Sequence, residues 1–206
     1  QLVDVAMLDC QVAILENAIA RYTATGVAPR PLGNRHPAIF PFEPFDTADG
    51  QLMVAAGNDL LWAALCRAIG RAELADDPRF RTNPLRHEHY EPMRALLAEA
   101  FRQRSTAAWR EILDAAGVPN GPINDVADLT RDPQIQAREM LQEVVHPLAG
   151  RTLLPGVPIK LSETPGAIRS PAPLLGQHTT EVLADWLGYD AAQVAALRQA
   201  GALGQG

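Results

Sequence analysis

The sequence is poor in lysine: Lys160 is the only one, so nearly all its positive charge is arginine. It has no Lys/Arg-rich run and a net charge of −6, with an isoelectric point near 5.3. That argues against nucleic acid as the main partner. No apolar run approaches the length needed to cross a bilayer, and no signal peptide opens the chain, so no membrane partner is expected. Only two cysteines occur, Cys10 and Cys66, each inside a helix-like apolar pattern. They are expected to be reduced, buried thiols in a reducing compartment. P-loop, dinucleotide glycine fingerprint, nucleophile elbow and metal cluster are all lacking. His87 and His89 form an HxH pair without a cysteine or a third ligand pattern nearby, so a surface role outweighs a metal site. Glu88, Glu91 and Arg94 around them read as a solvated face.

What is present is ordinary for a globular protein: 206 residues, 47% hydrophobic and 20% charged, enough for one sizeable core or two small ones. The chain begins at Gln1, without Met and already inside an apolar pattern, and is expected to be the middle of a longer protein. Residues 1 to about 24 read as a helix, entered from a short strand at Leu2 to Val5. Val5, Leu8, Val12, Leu15 and Ile19 recur at helical steps, and Gly26 ends the run. VAPRPLGNRHP is a connector. Phe42 to Asp46 and Gln51 to Ala56 read as strands around the turn TADG. Asn58 caps a helix closed by Gly70, DDPRFRTNPLR is an irregular link, and a helix runs from about His89 to Arg102. Ser105 or Thr106 caps the next helix. Asp132 and Pro133 start a further one after a short helix near Val126 to Leu129. EVVHP and RTLLPGVPIKLS read as strands, and two closing helices follow a Pro-rich crossing, the second with Asp190 and Gln193 placed as a capping box.

Four stretches, in order, carry a resemblance: VDVAMLDCQ, GNRHPAIFPFEPFDTADGQLMVAAGND, GVPNGPINDVADLTRDPQIQAREM and PAPLLGQHTTEVLADWLGY. Together they resemble the class III CoA-transferase family, which also holds carnitine-CoA transferases and 2-methylacyl-CoA racemases. NRHPAIFPF and GVPNGPIND look most like the dicarboxylate-CoA transferases. The resemblance implies an α/β fold, here mainly the α+β small domain over residues 42–145. Residues 1–41 and 146–206 would then be linkers and terminal helices of a large nucleotide-fold domain. It implies CoA transfer from an acyl-CoA to a carboxylic acid through an aspartyl-CoA intermediate. It also implies an interlocked homodimer, with coenzyme A or acyl-CoA as substrate rather than a permanently bound cofactor. The family's nucleophilic aspartate lies ahead of VDVAMLDCQ and so upstream of Gln1. Asp4 and Asp9 belong to the following helix, and on this reading the chain alone is inactive.

Within the resemblance, Met7 aligns with an apolar residue set against the CoA thiol end or the acyl group; a core methionine is the equal alternative. Asn34, Arg35 and His36 align with a loop that covers the active site, glycine-rich in formyl-CoA transferases. Here that loop is too bulky to be a glycine flap. Arg35 would suit the far carboxylate of a diacid and His36 a thioester or anhydride oxygen; a solvated loop fixed by Pro37 is the alternative. His178 reads as a structural helix-start residue with Thr179 capping, Gly121 and Pro122 as turn chemistry, and Arg30 as a weak phosphate candidate. Two other functions stay open: a racemase-type isomerase, and a non-catalytic assembly subunit. A cytoplasmic location is expected, and a mitochondrial matrix protein stripped of its targeting segment would read the same way.

Overall fold

The computed structural model describes residues 2–203. Their contacts form two compact units, Gln1–Ile123 and Asn124–Gly206. The first opens with two helices, α1 (Met7–Ala13) and α2 (Glu16–Thr25), the second stopped by Gly26 at φ 68°. The expected single helix is therefore broken at Ile14 and Leu15, and no helix-breaking residue there accounts for it. The expected strand at Leu2 to Val5 does not form; among the described residues no strand lies beside it to supply a ladder. No residue of α1 is buried, and Leu8, Val12, Leu15 and Ile19 are exposed.

The core lies between a small antiparallel sheet and four helices. Strands β1 (Phe42–Asp46), β2 (Gln51–Ala55) and β3 (Asn120–Pro122) are ordered β1-β2-β3. The register pairs Glu43 with Val54 and Phe45 with Leu52, which puts these four side chains on one face, and all four are buried. The TADG turn closes when the Thr47 N–H donates to the Gly50 carbonyl (2.9 Å). Asp49 then accepts from the Thr106 N–H at 2.8 Å, tying the turn to a helix start. That bond is the main reason the Asp49 carboxyl sits below its usual range.

The helices are α3 (Asp59–Ala68), α4 (Asn83–Glu88), α5 (Tyr90–Phe101) and α6 (Thr106–Ala115). Asn58 caps α3 by accepting from the Leu61 N–H, and Ser105 caps α6 by accepting from the Ala108 N–H. The expected irregular link holds α4 instead. Pro84 falls in its first turn, where a missing N–H costs nothing, so it starts a helix rather than preventing one. Trp62, Leu65, Phe80, Met93, Leu97, Phe101 and Leu113 fill the centre with β1 and β2. Phe101 stacks on Phe45 at 5.0 Å and meets the edge of Trp109 at 5.2 Å, and the Trp109 indole N–H donates to the Phe101 carbonyl.

Among these apolar groups sits Arg86, with no exposed surface. Its Nε donates to the Phe40 carbonyl (2.7 Å), one terminal nitrogen to the Phe80 carbonyl (2.9 Å) and the other to Asp59 Oδ1 (2.8 Å). The guanidinium also lies 5.3 Å from the Trp62 ring centre. A buried cation is tolerable only when its donors are met in this way.

In the second unit, α7 (Val126–Arg131) begins with a reciprocal Asp125/Asp128 capping box, and α8 (Pro133–Ala137) with Asp132 accepting from two backbone N–H groups. A hairpin, β4 (Leu141–His146) and β5 (Gly150–Pro155), follows, so position 145 lies within a strand. An extended stretch leads to α9 (Thr179–Leu187) and α10 (Ala191–Gln199), the latter opened by the Asp190/Gln193 box. Thr179 does not cap α9: His178 holds the cap position, and its ring nitrogen pairs with Glu181 at 2.9 Å. Trp186 is 82% exposed.

Expectation and structure part over the thiols. Cys66 is buried, but Cys10 is exposed, because α1 packs no face against the core. Burial pushes the Cys66 thiol up to about 12. A disulfide reagent at pH 8 is expected to modify Cys10 rapidly in the folded protein, and Cys66 only after denaturant is added. Two fast thiols would contradict this packing.

Candidate functional site

The NRHP loop begins where Gly33 takes a left-handed turn, φ 67°, a conformation that a residue with a side chain reaches only under strain. Asn34 is exposed there. Arg35 is half-buried, its guanidinium 4.3 Å above the Tyr90 ring. His36 turns inward. Its N–H donates to the Phe42 carbonyl, its ring lies parallel to Phe42 at 5.3 Å, and its Nδ1 accepts from the N–H groups of Ala38 (3.1 Å) and Ile39 (3.0 Å). Two backbone donors on Nδ1 require that nitrogen to be unprotonated, so the neutral ring carries its hydrogen on Nε2 and presents a donor there.

The loop is also gripped from α4. Asn83 accepts from the Phe40 N–H and donates to the Ala38 carbonyl, while Arg86 takes the Phe40 carbonyl. The Phe40 ring stacks on His87 at 4.8 Å and meets the edge of Tyr90 at 5.7 Å. A loop bonded at Ala38, Ile39 and Phe40 is a fixed platform.

Beside it lies a polar cavity of about 340 Å³, lined by Gly33, Asn34, Arg35, Glu43, Tyr90 and Arg94 among others. A second hollow of about 400 Å³ shares Arg35, Tyr90 and Arg94. Glu43 is 3% exposed; its Oε2 accepts from the Tyr90 hydroxyl and from Arg94 Nε, both at 2.9 Å. Its Oε1 is buried and has no hydrogen-bond partner among the described residues. Burial first, then the bond to Glu43 and its charge, push the Tyr90 phenol above its ordinary value. The bond to Glu43 likewise raises the Arg94 guanidinium.

Sequence reasoning missed this trio. Arg94, read as part of a solvated face, instead reaches the buried carboxylate of Glu43. One signal was present: in FEPFD the period of two puts a glutamate on the same face as Phe45. Its partners are far along the chain and left no pattern. Glu88 and Glu91 are exposed.

Of the residues singled out from sequence, Asn34 and Arg35 line the cavity, and His36 adjoins them in the chain. Met7 is 86% exposed at the start of α1 and lines neither hollow around Arg35. Asp4 precedes α1 and Asp9 lies in its first turn. Arg30 is exposed, and Gly121 and Pro122 are in β3. Among the described residues no three His, Cys, Asp or Glu side chains gather as a metal site.

The profile of CoA-transferase family III matches residues 1–179. The chain belongs to that family. Human succinyl-CoA:glutarate CoA-transferase is 33% identical over 203 residues, 98% of this chain and 46% of the human protein. A succinate–glutarate CoA-transferase from Agrobacterium fabrum is 39% identical over 90% of this chain and 46% of its own length. The acetyl-CoA:oxalate CoA-transferase of Acetobacter aceti is 40% identical over 80% and 43%. A CAIB/BAIF family protein from Brucella suis superposes with a TM-score of 0.74 at 35% identity, covering 90% of this chain and 48% of that one. The chain thus has the fold of CoA-transferase family III and spans about half the length of the curated relatives it matches.

The loop makes a local prediction. His36→Phe keeps a ring against Phe42 but orphans two amides, and should cost about 1–3 kcal/mol in local stability. Hydrogen exchange at Ala38 and Ile39 should then be faster, and His36→Asn, with an acceptor oxygen, should restore part of the protection. Unchanged exchange in His36→Phe would show that Nδ1 is not the acceptor.

Proposed function

We propose that this chain is the carboxyl-terminal part of a CoA-transferase that moves CoA from an acyl-CoA to a dicarboxylic acid. Family membership supports CoA transfer, and the relatives named for glutarate and oxalate support a diacid. The observation that carries the reading is the Asn34–Arg35–His36 loop: Asn34 and Arg35 line a cavity that contains a second arginine, and the loop's continuation at Ala38 and Phe40 is bonded to α4.

In this proposal an aspartate outside these residues attacks the donor thioester. The carbon–sulfur bond breaks, CoA leaves as thiolate, and a mixed anhydride remains. The thiolate then attacks the aspartyl carbonyl, releasing the donor acid and leaving an aspartyl-CoA thioester. The acceptor carboxylate reverses these steps and leaves as acyl-CoA. His36 Nε2–H and the Asn34 amide are donors suited to the oxyanions formed on the way. Arg35 holds the acid's far carboxylate. Met7 is assigned to the CoA side. The exposed apolar residues of α1 and α2 suit a partner surface, and an interlocked homodimer in the cytoplasm belongs to the same proposal.

An intact mass spectrum tests this reading. After brief incubation with succinyl-CoA the 22.2 kDa chain should be unmodified. A protein extended by the residues encoded ahead of Gln1 should gain a covalent adduct and pass CoA to glutarate. An adduct on the 22.2 kDa species would place the nucleophile inside the chain and call for substitution of Asp4 and Asp9. An extended protein that transfers nothing would sink the reading.

A further inference from the structure

We propose that Arg94 is the second arm of a carboxylate clamp whose first arm is Arg35, and that Glu43 makes this clamp prefer a carboxylate to a phosphate. The proposal rests on the reading above and adds a residue and a selectivity to it. Both arginines line the two neighbouring hollows. Arg94 gives its Nε to Glu43 Oε2, and the described residues supply no hydrogen-bond partner for its two terminal nitrogens. A guanidinium held by one edge presents the remaining fork to a carboxylate in a fixed plane. The Arg35 guanidinium is fixed by a different contact, the face of Tyr90, and Tyr90 itself bonds to the same Glu43 oxygen. A single buried carboxylate therefore positions both arms, one directly and one through the phenol.

The position of Glu43 argues for this role. It lies on the core face of β1, opposite Val54, where an apolar residue would pack with no orphaned oxygen. A buried acceptor without a partner destabilises a fold. The Glu43 bonds to Tyr90 and Arg94 tie β1 to α5, and the same bonds give the cavity orientation and charge balance. In the smaller cavity the two arginines against the buried Glu43 leave one positive charge, which matches one carboxylate group of a diacid; Glu91 lines only the second hollow, where it is exposed and screened by water. A phosphate dianion concentrates two negative charges at that one point and would be left half compensated. Asp46, also on the cavity wall, accepts from Gln51 and is paired at 3.6 Å with Arg102, so its negative charge is offset outside the clamp.

Binding of glutarate and of inorganic phosphate to the 206-residue chain, followed by NMR shifts at low ionic strength, tests this. Glutarate should shift signals of Arg35, Tyr90 and Arg94 and bind more tightly than phosphate. Arg94→Gln should weaken glutarate about tenfold. Arg94→Lys keeps the charge but not the fork, should weaken it nearly as much, and decides the matter if Arg94→Gln does not fold. Glu43→Gln keeps an acceptor for Tyr90 and should move the glutarate-to-phosphate ratio toward phosphate by about tenfold. If Arg35→Gln weakens glutarate while both Arg94 variants bind as the parent does, the clamp is wrong and the site reading stands. If glutarate shifts none of these residues, the site reading itself fails. Phosphate bound more tightly than glutarate by the parent chain would assign the cavity to a phosphate group instead and overturn the proposal.

Discussion

One buried guanidinium fixes the end of the site loop against the core. Arg86 contacts three separate segments through three hydrogen bonds: the carbonyl at the end of the NRHP loop, the carbonyl of Phe80 and the first residue of α3. Removing it would leave two carbonyls in an apolar interior without donors, each a penalty of about 1–3 kcal/mol. A planar fork with its charge spread over three nitrogens suits such a three-way junction, and a lysine's single ammonium does not. The loop's shape is therefore set from beneath, by a helix outside the cavity. Asn83, one turn earlier on α4, completes the grip.

The same economy governs the cavity wall. β1 is a short strand whose inward positions are Glu43 and Phe45. Phe45 anchors the strand to the core through Phe101, and Glu43 anchors α5 to the strand through Tyr90 and Arg94. A strand pinned at one inward position by aromatic packing and at the other by a carboxylate is stiff, and stiffness is what positions donors to a substrate. A loop bonded in this way would meet an acid with little rearrangement.

Much of this architecture was legible in local chemistry. Asn58, Ser105, Asp132 and Asp190 each carry the oxygen a helix start requires, and each cap forms. The TADG turn and the strands on either side of it could be read from alternation and turn residues. The class III resemblance, carried by motifs spread over the chain, named the family that the profile match establishes. What stayed hidden depends on contacts distant in sequence. Arg86 in TNPLRHEH is indistinguishable from a surface arginine until Phe40 and Asp59 are brought to it. Arg94 looked solvated because its partner lies 51 positions away. Pro84 misled in the opposite sense, since a proline that breaks a helix and one that opens it look alike. Cys10 was misjudged because apolar periodicity reports an amphipathic helix, but not whether these residues supply the surface that would cover it.

The central claim is that α4, through Arg86, determines the shape of the site loop. Backbone NMR of Arg86→Lys tests it most directly, because the substitution keeps the charge and removes the fork. The account predicts large amide shifts and faster hydrogen exchange from His36 to Phe42, with β2 and α6 nearly unchanged. Shifts confined to α4 and the start of α3, with residues 36–42 unmoved, would contradict it.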